Sequence, residues 1–249
     1  MKLLVTTGMA NASIDLAAAA RAGVTVCGTT GSGVSTAELA WALILACRRH
    51  VVTEDRALRE GRWQTTVGFD LAGATLGVLG LGRLGSKVAR VGQAFDMRVI
   101  AWSQNLTAAQ ATSAGATLVT KEGLLAAADV LTVHLKLSDR TRGLIGAPEL
   151  AAMKPSAVLI NTSRGPIVDE AALATALTAG TIAGAGLDVY DTEPLPLGNP
   201  LRGAPNTVLT PHLGYVTDAT YRAWYEQIVE NIAAWQAGTP LRVLTPSAG

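Results

Sequence analysis

The chain has 249 residues, room for one large α/β unit or about one and a half domains. Twenty Lys and Arg against nineteen Asp and Glu leave a net charge of +1, so no global field draws in nucleic acid or an anionic membrane. With 49% hydrophobic and 16% charged residues, the composition suits a large core and excludes disorder. The densest apolar run, Leu39–Cys47, is far shorter than a membrane span, and the Met1–Val5 opening breaks at Thr6 before a signal-peptide core can develop. The expectation is a cytoplasmic protein with neither a membrane nor a nucleic-acid partner. Cys27 and Cys47 lack CxxC spacing and are expected to be buried small hydrophobes, with no metal site.

Short aliphatic runs alternate with Ala-rich helical stretches from end to end, the pattern of parallel strands joined by crossover helices, so the fold class is α/β with a doubly wound parallel sheet. Leu3–Thr6 and Val24–Cys27 are the first two predicted strands. The segment Gly28–Ser35 has phosphate-loop glycine spacing, but Val34 stands where such loops need lysine, so a flexible interdomain turn is expected. Ser35 and Glu38 have capping-box spacing and open a helix carrying Leu39, Trp41, Leu43, Ile44 and Leu45. Being apolar nearly all round, it should be buried on more than one side. Gly61–Gly73 lacks clean periodicity and connects to a fresh strand at Thr75–Leu79. There follow strands Arg98–Trp102 and Ala116–Val119, with a helix between them boxed by Thr107 and Gln110, and then strand Val130–Val133. Pro148 suits a first helical turn, Ala157–Ile160 is the next strand, and Asp169 caps a helix that stops at Gly180. Strand Ala183–Leu187, a long proline-rich loop at Asp191–Pro205, strand Thr207–Leu209 and a helix from about Thr217 to Ala237, ended by Gly238, complete the chain.

Gly80-Leu-Gly82-Arg-Leu-Gly85 is G-x-G-x-x-G between a predicted strand and a predicted helix. In such a turn the first glycine permits the bend, the second lets a pyrophosphate approach the backbone, and the third lets helix and strand pack closely. The helix N-terminus then faces the phosphates with its donors and its positive dipole end. An acidic ribose reader is due roughly 20 residues on, yet that position falls on Ser103, followed by Gln104 and Asn105. Without a carboxylate, discrimination against NADP is weakened, and without a nearby Arg no preference for it is built, so the cofactor is NAD or NADP. Three polar residues then follow successive strands: Arg164 in Asn161-Thr-Ser-Arg-Gly165, Glu193 after Gly186-Leu-Asp-Val-Tyr190, and His212 in Pro211-His-Leu-Gly214. Ligands of open α/β sheets bind at that carboxyl edge.

These motifs, in this order and over residues 1 to about 245, resemble the D-isomer-specific 2-hydroxyacid dehydrogenases. The stretches Ala37–Leu45 and Leu135–Ile145 and the tail Gly238–Val243 share the likeness. The resemblance implies a Rossmann-like dinucleotide-binding domain at 35–218, with the remnant of a flavodoxin-like substrate domain formed by 1–34 and 219–249. It implies that Arg164 holds the carboxylate and carbonyl of a small 2-oxo or 2-hydroxy acid, that His212 is the acid/base and that Glu193 is its partner. It further implies cofactor contacts by Gly80, Gly82, Arg83, Leu84, Gly85, Ser103 and Thr162, with Asp188 at the nicotinamide carboxamide. A loop at Thr7–Asn11 would offer backbone N–H groups to the substrate, and the helix after Ser35 would build a homodimer. Two departures stand out. His134-Leu-Lys136 replaces the usual H-x-P beside the adenine, which leaves His134 structural and lets Lys136 alter that pocket. The chain also begins at what is a late strand of the substrate domain, so the expectation is dinucleotide binding with impaired turnover. A nucleotide-sensing relative of the corepressor kind is the alternative; the complete Arg164, Glu193 and His212 set favours the enzyme.

Overall fold

A computed structural model describes residues 1–11, 13–31 and 33–246; Ala12, Ser32, Ser247, Ala248 and Gly249 lie outside the described residues. In chain order the elements are β1 (Leu3–Val5), α1 (Leu16–Arg21), β2 (Thr25–Cys27), α2 (Val34–Arg48), α3 (Val51–Arg59), β3 (Thr75–Leu79), α4 (Arg83–Ala94), β4 (Arg98–Trp102), α5 (Ala108–Ser113), β5 (Thr117–Leu118), α6 (Lys121–Ala127), β6 (Val130–Val133), α7 (Ala147–Ala151), β7 (Val158–Asn161), α8 (Glu170–Thr178), β8 (Gly184–Leu187), β9 (Thr207–Leu209) and α9 (Asp218–Gln236). They fall into two compact units, Met1–Ser35 with Tyr215–Gly249, and Thr36–Gly214.

The larger unit is built on a seven-stranded sheet in the order β5-β4-β3-β6-β7-β8-β9, with every pair parallel. Because β3 pairs with β4 on one side and β6 on the other, the chain reverses direction across the sheet between β3 and β6, the kind of switch point where open α/β sheets form a ligand crevice beyond the carboxyl ends of the strands. All residues of β3, β6, β7 and β8 are buried, as strands covered on both faces require. Alternate side chains feed two cores. Leu79, Leu131 and Leu159 join Leu124, Leu150 and Leu173 on one face, while Leu76, Val130 and Ile160 join Trp41, Leu43, Ile44 and Val88 on the other.

Local chemistry sets most helix ends. Thr107 and Gln110 form the reciprocal capping box of α5, and Asp169 Oδ1 accepts from Ala172 N at 2.9 Å to cap α8. Pro148 lies in the first turn of α7, and Gly180 (φ +68°) and Gly238 (φ +80°) take the left-handed conformation beyond α8 and α9. At α2 the expectation fails. The helix begins at Val34, so Ser35 lies inside its first turn instead of capping it, and its Oγ is 3.5 Å from Thr220 Oγ1. The separate helix α3 was not anticipated; it arises because His50 turns left-handed (φ +51°) and breaks what reads as one long helix.

In the smaller unit β1 and β2 pair in parallel, and Cys27 bridges to Val243. Of the Gly28–Ser35 segment, in which Ser32 is outside the described residues, the first three residues are held by hydrogen bonds. Thr29, fully buried, accepts from Gly8 N at 2.8 Å and donates its own N–H to Gly8 O at 3.1 Å. Asn231 Nδ2 donates to Gly28 O at 2.8 Å, and Gln227 Oε1 accepts from Thr30 N at 2.8 Å.

Candidate active site

The turn from β3 into α4 is a backbone device. Gly80 has φ +103°, a conformation that only glycine adopts without strain, and a Cβ there would press on the His134 carbonyl at 2.9 Å. A Cβ on Gly85 would lie 2.0 Å from Gly80 O, so the third glycine is what lets α4 start against the turn. Gly82 differs: among the described residues nothing lies within 4 Å of where its Cβ would be. As the N-cap of α4 it brings no capping side chain, so the Arg83–Gly85 start of the helix presents its positive end to that open space. Gly80 N donates to Trp102 O at 2.9 Å, which sets Ser103, the next residue, beside the turn. Thr162 Oγ1, just beyond β7, is buried and has no hydrogen-bond partner among the described residues. Open space at Gly82 and an orphaned hydroxyl at Thr162 fit a bound dinucleotide.

The three polar residues project from loops after β7, β8 and β9, consecutive neighbours that span about 10 Å of sheet edge. His212 Nδ1 lies 2.6 Å from Glu193 Oε2. Tyr190 N donates to Glu193 Oε1 at 3.0 Å, so both carboxylate oxygens are held. His212 itself is left-handed (φ +56°), and Asp188 explains how the turn is kept. Its buried carboxylate, 1% exposed, accepts from Leu213 N at 2.6 Å and Thr210 Oγ1 at 2.6 Å through Oδ1, and from Gly214 N at 2.8 Å through Oδ2. Three donors converge on Asp188 from the chain on either side of His212.

Arg164 is exposed and forms no salt bridge among the described residues; its guanidinium donates to Ser163 O at 2.6 Å. Its backbone is fixed: Asn161 Nδ2 donates to Arg164 O at 3.0 Å, and Asn161 Oδ1 accepts from Ser163 N at 3.0 Å. Ser163 Oγ also donates to Leu135 O. Thus the structure joins Glu193, His212 and Asp188 in one network, sets Arg164 on the neighbouring loop, and gathers Gly80, Gly82, Arg83, Leu84 and Gly85 at the crevice between β3 and β6. His134 stays outside the chemistry. Its Nε2 is 2.9 Å from Thr132 Oγ1, and burial pushes its pKa down to about 4, so it is neutral near pH 7. Lys136 is exposed beyond the same strand.

Tyr190 and Thr210 are absent from the residues singled out in the sequence. The Tyr190 hydroxyl donates to Leu187 O at 3.2 Å and Thr210 O at 3.0 Å, and burial, reinforced by the Asp188 and Glu193 charges, pushes its pKa up to about 12. Only their nearness to Glu193 and His212 in the sequence could have drawn attention to them.

Comparison with known proteins bears on the fold and the family. Residues 41–214 match the family model for the NAD-binding domain of D-isomer-specific 2-hydroxyacid dehydrogenases. The chain is 43% identical over 236 residues to a glyoxylate reductase of Aeropyrum pernix, covering 91% of this chain and 70% of that protein. A solved phosphoglycerate oxidoreductase of Vibrio cholerae superposes with a TM-score of 0.91 at 38% identity, over 96% of this chain and 78% of that one. D-Lactate dehydrogenase of Aquifex aeolicus, solved with NAD and lactic acid, gives 0.83 at 28% identity, over 96% of this chain and 77% of that one.

Proposed function

The chain belongs to the D-isomer-specific 2-hydroxyacid dehydrogenases, and from that premise we propose that Arg164, Glu193 and His212 carry out the reduction of a small 2-oxo acid such as glyoxylate or hydroxypyruvate. The cofactor of this enzyme class is NAD or NADP, and when bound, the reduced nicotinamide supplies the hydride for the carbonyl carbon. Gly80, Gly82, Arg83, Leu84 and Gly85 would hold its pyrophosphate, Ser103 its ribose and Thr162 its nicotinamide side. Arg164 can grip the substrate carboxylate with two parallel N–H donors and polarise the adjacent carbonyl, which fixes the reacting geometry. His212 Nδ1 is committed to Glu193, so Nε2 is the atom that delivers a proton to the carbonyl oxygen. As the imidazolium becomes neutral it keeps its Nδ1–H on the carboxylate, and the ring does not swing away. Asp188, with both oxygens engaged by residues around His212, supports the turn first; a further contact to the nicotinamide carboxamide would use its remaining acceptor capacity.

The 2.6 Å pair of His212 and Glu193 is the observation that supports this reading best. Consumption of NADH or NADPH by the purified chain with glyoxylate and hydroxypyruvate tests it. His212→Ala should lower the rate by roughly a hundredfold or more while cofactor affinity holds. A variant as active as the parent would remove His212 from the chemistry.

We also infer a homodimer and a cytoplasmic site of action. Trp41, Leu43 and Ile44 of α2 are buried in the core of the larger unit, and the exposed apolar surface that follows α2 in the chain is α3 and the arm after it, where Val51, Leu58, Trp63, Val67 and Phe69 are exposed. Sedimentation of Trp63→Glu against the parent tests this. Cys27 and Cys47 are free and buried, a use of cysteine that fits a reducing compartment. Among the described residues no helix is long and apolar enough to cross a membrane.

A further inference from the structure

Glu170 opens α8, six residues after Arg164, and an acidic residue there is ordinarily explained by the helix dipole. Its hydrogen bonds point elsewhere. Asp169 already caps α8 through Ala172 N, and both Glu170 oxygens reach across to the loop that carries Glu193. Oε1 accepts from Asp191 N at 2.5 Å and Oε2 from Asn199 Nδ2 at 2.9 Å. One carboxylate therefore holds both ends of the segment 191–199, with Glu193 between them.

Further contacts make the connection stiff. Gly165, next to Arg164, packs so closely on the following loop that a Cβ would lie 2.0 Å from the Tyr190 carbonyl carbon. Tyr190 N in turn holds Glu193 Oε1, and Arg202 braces the middle of the segment through Pro196 O at 2.9 Å and Leu195 O at 2.6 Å. Asn199 Oδ1 accepts from Leu201 N at 2.9 Å, which anchors the far end. Glu170 also lines a cavity of about 430 Å³ with Arg142, Asp169 and Asp191. Truncating its side chain would enlarge that space and leave both loop ends without their acceptor.

We propose that Glu170 is a positioning residue for proton transfer, clasping the Glu193 loop to the helix that continues from Arg164 so that substrate grip and proton donor keep one fixed spacing. The inference rests on the proposed roles of Arg164, Glu193 and His212. A glutamine halves the clasp: its one amide oxygen can still accept from Asp191 N, but its amide nitrogen then faces Asn199 Nδ2, donor against donor, so one of the two anchors is kept.

The test is the ring-nitrogen NMR signal of His212 in histidine-labelled protein at one pH, assigned by its loss in His212→Ala. Glu193→Ala defines the signature of the broken pair. Glu170→Ala should reproduce most of that shift, and Glu170→Gln, with one anchor kept, should move the signal less. In turnover, Glu170→Ala should lose about ten- to a hundredfold in kcat with the KM for NADH little changed, and Glu170→Gln should lose less. A folded Glu170→Ala protein with the parent His212 signal and kcat overturns the proposal while leaving the acid/base reading intact. A His212 signal that ignores Glu193→Ala overturns that reading, and the proposal with it. Should Glu170→Ala fail to fold, Asn199→Ala decides, since it removes one of the two anchors: a partial shift supports the clasp and an unmoved signal overturns it.

Discussion

The glycine turn between β3 and α4 and the three loops after β7, β8 and β9 lie on the same carboxyl edge of one sheet, but they are held by different means. In the turn, six consecutive residues suffice: Gly80 takes φ +103°, Gly82 leaves space open, and Gly85 lets the helix start against Gly80 O. The loops are shaped by side chains reaching to distant backbone. Asp188 holds Leu213 and Gly214, Tyr190 reaches Thr210, and Glu170 holds Asp191. A site for a constant cofactor can be a local motif, while a site that must fix a proton donor to within a fraction of an ångström is assembled from several strands at once.

The sharpest way to break this comparison is to substitute within the turn. Gly85→Val would set a branched side chain where even a Cβ falls 2.0 Å from backbone, and the fold should be destabilised by roughly 3 kcal/mol or more. At Gly82 an added Cβ meets nothing within 4 Å among the described residues, so the melting temperature of Gly82→Val should stay near the parent's, yet its side chain would occupy the pyrophosphate's place. Titration by nicotinamide fluorescence should then show an affinity loss of about a hundredfold, or roughly 2.7 kcal/mol. Reversed outcomes, with Gly85→Val stable and Gly82→Val binding normally, would place the cofactor elsewhere.

The same contrast explains what could be read from the sequence. The strands were legible to within a residue or two because buried parallel strands are short aliphatic runs, and the G-x-G-x-x-G turn was legible because its determinants are contiguous. Arg164, Glu193 and His212 stood out only as polar residues after successive strands. Their support did not: Tyr190 and Thr210 are 20 residues apart, and only the pairing of β8 with β9 brings them together. At the start of α2, Ser35 and Glu38 have capping-box spacing, yet the helix begins one residue earlier. Local chemistry was outvoted there by tertiary context. His50 carried no signal of its left-handed break, because its side chain is not one that demands it.

A smaller effect separates the two regions by pH. His134, beside the glycine turn, has its pKa lowered to about 4 by burial, below the ordinary value near 6.5. The unfolded chain therefore binds a proton that the folded chain refuses, so this contribution to stability is complete above about pH 6.5 and is lost as the pH falls toward about 4. Between pH 7 and pH 5 the loss should be roughly 1–2 kcal/mol. Urea unfolding at the two pH values measures it, and His134→Gln should flatten the difference. An unaltered pH dependence in that variant would assign the loss to other groups.

The smallest effect is expected from Tyr190→Phe, and it tests whether the loops depend on any single bond. The variant keeps the ring in the core and the Tyr190 backbone N–H on Glu193, and it removes only the hydroxyl. Both carbonyls that the hydroxyl serves retain other donors: Leu187 O accepts from Thr210 N at 2.9 Å, and Thr210 O from His212 N at 3.1 Å. No acceptor is stranded, so the cost should be that of a shared hydrogen bond, about 1 kcal/mol or less, seen as a fall of about 2–4 °C in melting temperature. The hydroxyl stays protonated up to about pH 12, so the fall should be the same at pH 6 and pH 9. Turnover should change by no more than about threefold, because Asp188 and Glu193 still fix the His212 turn. A hundredfold loss of kcat in a folded Tyr190→Phe protein would mean that one phenolic bond sets the position of His212, and the picture of a site secured by many redundant side-chain anchors would fail.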